Sequence, residues 1–389
     1  MNQRLSDLCR RMAKEGMDAA LLLHHRDVLY YAGTARPASL LVAPEPPTAR
    51  LLARRGIEEI QREATVENVE PMRGFSGIVR ALGELGLEDG VLGIELDTTP
   101  VDLYQRIAEA FAGWDVVDVT PLVMGQRLWK DEDEIAATRR AAEVADAAHR
   151  ALARVAEAGM SELELAAEVE RAMRLTGHEG YQPLRRPEGR GGGVFLMSGE
   201  NLAVRGGHGL IITGAGLSPA TPYGASRRVL QQGDLIVLDT GTVRDCYTAD
   251  ESRTFVLGEP TEAQQALFDL VAETHEAVLR QVVPDMPVST LYAVAEGFVG
   301  GGAPPFFARG ELVLPGFVGH GIGLELDEPP VLWPRDQTSR LWSGMVLAIE
   351  TEVSAPGAGM MAKLEDTVVV RSGKPEILTG APRTLTVCG

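Results

Sequence analysis

The stretch from Gly233 to Phe255 constrains the fold of this chain more than any other stretch. An apolar run, Leu235 to Leu238, follows a Gly-Asp turn and ends at Asp239, and a second carboxylate, Asp250, comes eleven positions later (250 − 239). The residues from Val243 to Cys246 can turn the chain, so the flanking segments are predicted to pair as antiparallel strands. A buried strand that ends in an ionised aspartate carries a large desolvation cost unless a cation compensates it. The alternative, that Asp239 only caps the following turn, stays open at this point.

Three further segments each add a possible metal ligand. His320 lies in the sequence Gly-His-Gly-Ile-Gly-Leu, whose glycines permit positive φ and close approach of the backbone to another group. Glu350 ends a second apolar run, and Glu365 lies near the start of a β-rich run. With Asp239 and Asp250, these residues make an oxygen-rich set that contains one imidazole. Such a set suits Mn, Fe, Co or Zn, and its carboxylates could bridge two ions.

In these segments the chain resembles the pita-bread metallohydrolase family, which includes creatinase, aminopeptidase P, prolidase and methionine aminopeptidase. The sequences Asp-x-Gly, Asp-x-x-Arg-Thr-Phe, Gly-His-Gly-Ile-Gly-Leu and Glu-Asp-Thr occur in the order that the family has. The resemblance implies two divalent ions (Mn, Co, Zn or Fe) about 3.5–4 Å apart, and a role for Glu350 in moving protons. The metal ligands that it implies are Asp239, Asp250, His320, Glu350 and Glu365.

The resemblance covers nearly the whole chain and implies an α/β (α+β) fold of two domains. Residues 1–126 resemble the creatinase-type N-terminal domain, and residues 127–389 resemble the pita-bread catalytic domain with its pseudo-twofold repeat. The residues agree, because strands such as Ala19 to Leu23 and Val91 to Glu95 alternate with helical patterns before Gly125. This first part has no cluster of titratable groups, so it is not predicted to be catalytic.

Alanine-rich segments and capping residues predict several helices in the second domain. Glu134 to Ala158 is alanine-rich and is predicted to form a helix that stops at Gly159. Capping residues predict where later helices begin: Ser161 with Glu164, Thr261 with Gln264, and Ser289 or Thr290.

Histidines outside the ligand set receive less specific predictions. His149 and His275 fall within helices and are predicted to be surface or packing residues. The adjacent His24 and His25 would direct their side chains apart, so they are predicted to lie in a loop.

Four segments of the chain depart from the peptidase members of the family. Asp327 stands where those peptidases have a histidine, and Tyr223 stands in a Pro-Tyr-Gly segment where they have Pro-His-Gly. Glu352 replaces the glycine of Glu-Pro-Gly, and Lys363 replaces an arginine. In the family the two histidines donate hydrogen bonds to the substrate carbonyl, and losing such a donor costs about 2.7–4 kcal/mol. The resemblance therefore implies a metal centre whose peptidase chemistry could be altered.

Candidate site residues follow from these matches. Asp327 could bind a cationic part of the substrate, pair with a nearby cation such as Lys363, be held protonated by neighbouring carboxylates, or cap the turn before Pro329. His208 is either a substitute for a missing histidine or a solvated loop residue. Catalytic roles are predicted for Glu350, Asp327 and Tyr223, and substrate contacts for Tyr223, Asp327, Glu352, Lys363 and His208.

Composition narrows the range of partners. The formal net charge is −18, which disfavours nucleic-acid backbones and anionic membranes as partners. The three cysteines, Cys9, Cys246 and Cys388, do not suggest a disulfide framework and fit a reducing cytoplasm. No stretch approaches the roughly 18 apolar residues of a membrane span. The resemblance implies a homodimer.

Three functions stay open on sequence alone. The first is a dinuclear metallohydrolase of small peptides, of the Xaa-Pro dipeptidase or aminopeptidase type. The second is a creatinase-like hydrolase or lyase of a small non-peptide compound, which the two missing histidines favour. The third is a binding protein that kept the fold and lost catalysis, and the five ligand residues argue against it.

Overall fold

The chain forms two compact units, Met1–Arg127 and Leu128–Gly389. The computed structural model describes residues 2–183, 185, 190–191, 193–207, 211–301, 304–308 and 310–389. The division between the units lies one residue beyond the boundary that the sequence suggested.

The first unit is built around a six-stranded mixed sheet with the strand order β4-β3-β2-β1-β5-β6. Its core contains side chains from the sheet and from the helices that pack on it, among them Leu21, Leu41, Ile78 and Ile107. The strands are β1 (Ala19–Leu22), β2 (Ala38–Pro44), β3 (Pro47–Ala53), β4 (Val69–Pro71), β5 (Gly90–Ile94) and β6 (Trp114–Asp118). The helices are α1 (Gln3–Lys14), α2 (His25–Ala32), α3 (Ile57–Glu63), α4 (Gly74–Gly83), α5 (Val101–Ala110) and α6 (Thr120–Arg127).

Helix α2 corrects the prediction that His24 and His25 lie in a loop. His24 is the residue before the helix and His25 is its first residue. Val28 and Tyr31 are buried at helical spacing, and Gly33 ends the helix with φ of 80°. The prediction was wrong because it weighed the divergence of two adjacent side chains and overlooked the apolar stripe that follows them.

The second unit contains a nine-stranded sheet flanked by long helices. The order along its main path is β13-β12-β14-β15-β11-β10-β9, with β16 beside β15 and β17 beside β11. The strands are β7 (Gln182–Pro183), β8 (Arg190–Gly191), β9 (Val194–Ser198), β10 (Leu235–Arg244), β11 (Tyr247–Leu257), β12 (Gly319–Gly321), β13 (Glu328–Val331), β14 (Val346–Ala355), β15 (Met360–Val369), β16 (Glu376–Ile377) and β17 (Thr386–Cys388). The helices are α7 (Glu132–Val155), α8 (Glu162–Leu175), α9 (Glu262–Leu279) and α10 (Val288–Gly301), with 3₁₀ turns at Gly199–Ala203 and Pro356–Ala358.

Side-chain caps set the starts of three of these helices. The capping boxes predicted for α8 and α9 are present, because Ser161 and Thr261 each accept a backbone hydrogen bond from the third helical residue, whose side chain bonds back. An unpredicted capping box at Asp131 starts α7 two residues before the predicted start at Glu134. Helix α10 begins at Val288 rather than at Ser289 or Thr290.

The nine-stranded sheet consists of two halves of similar architecture. Strands β9, β10 and β11 form one half with α7 packed on β10 and β11, and strands β12, β14 and β15 form the other with α9 packed on β14 and β15. The halves meet where β11 pairs with β15 in the antiparallel sense, at Ser252 opposite Glu365. The two hairpins, β10–β11 and β14–β15, therefore lie side by side at the centre of the sheet.

None of the helices in the described part of the chain is both long enough and apolar enough to cross a membrane.

Candidate metal centre

The β10–β11 hairpin places two carboxylates on one face of the sheet. In its register Asp239 lies opposite Ser252, and Gly241 lies opposite Asp250. Directly opposed residues, and residues two apart on a strand, share a face, so Asp239 and Asp250 point the same way. The strands are joined by a two-residue turn at Asp245 and Cys246, both with positive φ (54° and 70°).

The second hairpin presents its carboxylates on that same face. Glu350 of β14 lies opposite Glu365 of β15, and Glu365 is in turn opposite Ser252 of the first hairpin. His320 of β12 lies opposite Ala348, two residues from Glu350. The register of the pairs therefore collects all five predicted ligands on one face of the sheet.

Two glycines allow the His320 strand to fit between its neighbours. A Cβ atom at Gly319, where φ is 141°, would lie 2.1 Å from the carbonyl oxygen of Ala348. A Cβ atom at Gly321 would lie 2.2 Å from the carbonyl oxygen of Pro329. Only glycine permits this approach, which confirms the close backbone contact that the Gly-His-Gly sequence predicted.

The orientation of the His320 ring leaves one nitrogen for a ligand. Nδ1 lies 3.0 Å from the carbonyl oxygen of Gly321. A carbonyl oxygen can only accept, so Nδ1 is assigned as the protonated donor and Nε2 carries the lone pair. Fixing the tautomer of a ligand histidine through its other nitrogen is common in metal sites.

The five side chains are buried together, and their charges are not balanced within the site. Burial, followed by the charges of Glu365 and Asp239, raises the pKa of Asp250 well above its usual range. Burial likewise raises the pKa of Glu365 to about 8. Burial lowers the pKa of His320, but Asp327, Glu350 and Glu365 more than offset this effect and raise it overall. The cluster has an excess of negative charge that further cations would relieve.

One lysine lies within this carboxylate cluster. The Nζ atom of Lys363 lies 2.8 Å from Asp239 Oδ2, 2.9 Å from Glu350 Oε2 and 3.2 Å from Glu365 Oε2. Its side chain is almost fully buried. Burial alone lowers the pKa of this ammonium group, yet the three carboxylates raise it well above its usual range.

Three of the five side chains offer donor atoms that fit a single metal ion. Asp250, His320 and Glu365 each offer a ligand atom within 4.8 Å of the other two, which is compatible with bonds of about 2.0–2.2 Å to one ion. Asp250 Oδ1 is buried and has no hydrogen-bond partner among the described residues. A buried carboxylate oxygen without a partner is costly, and a cation at this position would remove that cost.

A second buried charge network supports the site from the opposite face of the sheet. Arg253 bridges Glu251 (2.9 Å) and Asp366 (2.7 Å), the residues next to the ligands Asp250 and Glu365. His275 of α9 binds Asp366 through Nε2 at 3.0 Å, and His149 of α7 contacts the backbone oxygen of Glu251 at 3.2 Å. Both histidines pack in the interior, so only the packing alternative of their prediction holds.

Comparison with known proteins identifies the family. A model of metallopeptidase family M24 matches residues 136–372, a range that contains all five predicted ligand residues. This chain belongs to metallopeptidase family M24. A model of the creatinase/prolidase N-terminal domain matches residues 4–129. Membership confirms the predicted hydrolase class and implies a divalent metal cofactor.

Full-length M24 relatives are similar along both units. The chain is 26% identical over 390 residues to an Xaa-Pro dipeptidase of Pyrococcus horikoshii, with 99% of each chain covered. Among solved structures it resembles the Xaa-Pro dipeptidase from Bacillus anthracis, with a TM-score of 0.83, 25% identity and 99% of each chain covered. It also resembles the X-Pro aminopeptidase from Thermotoga maritima, with a TM-score of 0.80, 25% identity and coverage of 98% of this chain and 99% of that chain. The predicted fold, a creatinase-type domain followed by a pita-bread domain, is confirmed.

The remaining residues predicted to act at the site differ in how close they lie to the five predicted ligands. Asp327 is beside them, with Oδ1 3.2 Å from His320 Nε2 and a side chain that is 56% exposed. Glu352 is buried, accepts a hydrogen bond from the backbone N–H of Ile212 at 3.2 Å, and has a pKa raised by burial to about 8. The ring of Tyr223 packs edge-on against Phe195. His208 lies outside the described residues.

Two residues at the site were not singled out from the sequence. Ser252 donates a hydrogen bond from Oγ to Glu365 Oε2 at 2.6 Å, and Thr367 Oγ1 accepts one from the backbone N–H of Asp250 at 2.8 Å. The position of Ser252, two residues beyond Asp250 on one strand, was a usable signal because it predicts the same face. The position of Thr367 required knowledge of the pairing between β11 and β15.

Proposed function

We propose that this chain is a metal-dependent dipeptidase that hydrolyses Xaa-Pro dipeptides. The observation that carries the proposal is the collection of the five predicted ligand residues on one sheet face, with an Asp250 oxygen that has no partner among the described residues. Relatives named Xaa-Pro dipeptidase that match over nearly the whole chain support this substrate class.

The metal ligands in this proposal are the five predicted residues. The donor types suit Mn, Co, Zn or Fe, because carboxylates are combined with a single imidazole. Five such side chains suffice for two divalent ions, the count implied by the family resemblance. The ligands are Asp239, Asp250, His320, Glu350 and Glu365.

The chain's own groups would divide the work of hydrolysis. A bound divalent ion supplies an activated water molecule and polarises the scissile carbonyl. Glu350, whose Oε1 lies 3.8 Å from His320 Nε2, is placed to take a proton from the attacking water and return it to the leaving nitrogen. Lys363 holds the other oxygen of Glu350 at 2.9 Å and so fixes its orientation. Asp327 reaches solvent beside His320, where its carboxylate can accept a hydrogen bond from the substrate's ammonium group.

Removal of Asp250 tests the proposal. We expect Asp250→Ala to lose bound metal and to reduce Xaa-Pro cleavage at least about 100-fold, because a buried ligand is removed. Metal content by mass spectrometry and dipeptide hydrolysis after Mn or Co reconstitution measure both effects. Asp245→Ala, in the exposed turn of the same hairpin, is the matched control and should keep both properties. A wild-type protein that binds no Mn, Co or Zn and cleaves no Xaa-Pro dipeptide contradicts the proposal.

One observation favours a second candidate function. Asp327 stands beside His320 where peptidases of the resembled family have a hydrogen-bond donor, and an ionised aspartate can only accept. A substrate rich in N–H groups, such as a small amine or amidine of the creatinase type, matches an acceptor at this position. Higher turnover of such compounds than of Xaa-Pro dipeptides would favour this function.

We also infer that the protein is a cytoplasmic homodimer that binds neither nucleic acid nor membranes. The net charge of −18 supports the exclusion of polyanionic partners, and the three free cysteines fit a reducing compartment. The homodimer follows from the family resemblance. Light scattering at micromolar concentration should give the mass of a dimer, and a monomer would contradict the inference.

A further inference from the structure

Lys363 occupies a position that bears on how many metal ions this site can hold. We propose that its ammonium group takes the place of a second divalent ion, so that the centre binds a single ion at Asp250, His320 and Glu365. This inference rests on the proposed function, since it assumes a metal-dependent hydrolase. It differs from that function in the ion count, which can be measured separately.

Lys363 contacts three carboxylates at once. Its Nζ atom donates a hydrogen bond to Asp239 Oδ2 at 2.8 Å and forms ion pairs with Glu350 Oε2 at 2.9 Å and Glu365 Oε2 at 3.2 Å. These oxygens belong to Asp239, Glu350 and Glu365, which are three of the five M24 ligands. The three carboxylates therefore already share a cation that the chain itself supplies.

A divalent ion cannot occupy the side of those oxygens on which this ammonium group lies. An ion placed there and bound to Asp239 Oδ2 and Glu350 Oε2 at about 2.0–2.2 Å would lie against Nζ, which is 2.8 and 2.9 Å from the same atoms. Two cations in contact in a buried site repel strongly. Lys363 also lacks an easy route to solvent, because its side chain is almost fully buried and its backbone lies within β15.

The other side of the site has donor atoms that fit one ion. Asp250 Oδ1 is buried without a partner in the described part of the chain, and it belongs to the group in which Asp250, His320 and Glu365 atoms lie within 4.8 Å of one another. Asp327 Oδ1 is 3.2 Å from His320 Nε2. Asp327 is 56% exposed, so it borders this group from the solvent side and stays available to the substrate. Among the described residues, this group does not include Asp239 or Glu350, which Lys363 contacts at 2.8 and 2.9 Å.

The identity of the residue matters to this arrangement. Lysine carries a compact point charge on a flexible stem, whereas arginine carries a larger planar fork. A compact ammonium group can fill the space of a single ion and supplies one positive charge to the carboxylates around it. The replacement of the family's arginine by Lys363 therefore changes the chemistry of the site and not only its packing.

The experiment counts Mn²⁺ ions in three proteins: the wild type, Lys363→Met and Lys130→Met. Equilibrium dialysis with metal analysis gives the stoichiometry, and electron paramagnetic resonance distinguishes an isolated ion from an exchange-coupled pair. Lys130 is the matched control because it too is a buried lysine with a carboxylate partner, Glu328 at 3.1 Å, outside the ligand set. Circular dichroism and thermal unfolding establish that each variant is folded.

We expect the wild type and Lys130→Met to bind about one Mn²⁺ ion with the spectrum of an isolated ion. Lys363→Met should bind about two ions and give an exchange-coupled spectrum, because the neutral side chain frees the second position. If Lys363→Met does not fold, Lys363→Gln is used instead. The number of Mn²⁺ ions bound by the wild type tests the single-ion centre in either case.

Three results would overturn the inference. Two coupled ions in the wild type, with Xaa-Pro cleavage intact, would refute the single-ion centre and leave the proposed function standing. A folded Lys363→Met protein that still binds about one ion would show that the lysine does not hold a metal position. A wild type that binds no ion and cleaves no dipeptide would refute this inference and the proposed function together.

Discussion

Asp327 is the single residue whose charge should most affect the choice of substrate. It lies 3.2 Å from His320 Nε2 and reaches solvent, and an ionised carboxylate there can only accept hydrogen bonds. Asp327→Asn keeps the shape of the side chain and adds N–H donors. We expect it to retain bound metal and to raise Xaa-Pro turnover, relative to an amine-rich substrate, by about tenfold, which corresponds to about 1.4 kcal/mol. Steady-state kinetics on both substrates measure the ratio.

Asp327→Ala is the control for this comparison, because it removes the carboxylate without adding a donor. If the donor is what matters, only the asparagine variant improves Xaa-Pro cleavage. Vigorous wild-type cleavage that neither substitution alters would exclude a substrate-directed role for Asp327.

The buried His149 of α7 is expected to make the stability of the protein depend on pH. His149 contacts the backbone oxygen of Glu251, and burial, followed by the charge of Arg253, lowers its pKa to about 3. In the unfolded chain a histidine has a pKa of about 6.5, so between these values the unfolded state binds a proton that the folded state does not. The free energy of unfolding therefore falls as the pH falls through this window. One such proton contributes a slope of about 1.4 kcal/mol per pH unit.

We expect His149→Gln to reduce that slope by the contribution of one proton. Urea unfolding at several pH values between 6 and 4 measures it for the wild type and the variant. Thr240→Val is the matched control, since Thr240 Oγ1 lies 3.4 Å from the same ring nitrogen and the change removes no titrating group. Equal slopes in His149→Gln and the wild type would mean that His149 is already charged in the folded protein.

Elements with strong local signals were predictable from the sequence, and elements defined by distant packing were not. The β10–β11 hairpin followed from an apolar run, a turn and a second run, and two capping boxes located α8 and α9. Helix α2 was missed although its stripe was visible. The contacts of His149 and His275 depend on which strands lie beneath their helices, and the local sequence around each histidine does not contain that information.

At the scale of the whole molecule, the sequence predicted which residues share the site better than it predicted their contacts. The five ligands were assigned by resemblance, and the strand register places them on one face. Sequence spacing could not reveal that Lys363 reaches Asp239, because β15 and β10 belong to different hairpins. Nor could it show that Glu352, predicted to contact substrate, accepts a hydrogen bond from Ile212.

The pairing of β11 with β15 has a consequence for the order in which parts of the chain fold. Asp239 and Asp250 belong to one half of the sheet, whereas His320, Glu350 and Glu365 belong to the other, so no half alone presents the full set. Each hairpin joins strands that are close in sequence. The pairing of β11 with β15 joins residues that are 113 positions apart (365 − 252), so its loop-closure entropy cost is larger. We therefore expect ligand convergence to be late in folding. A metal ion that binds only the docked halves would stabilise the native state in proportion to the logarithm of its free concentration. In this respect a bound ion would hold the two halves of the sheet together in addition to taking part in the reaction.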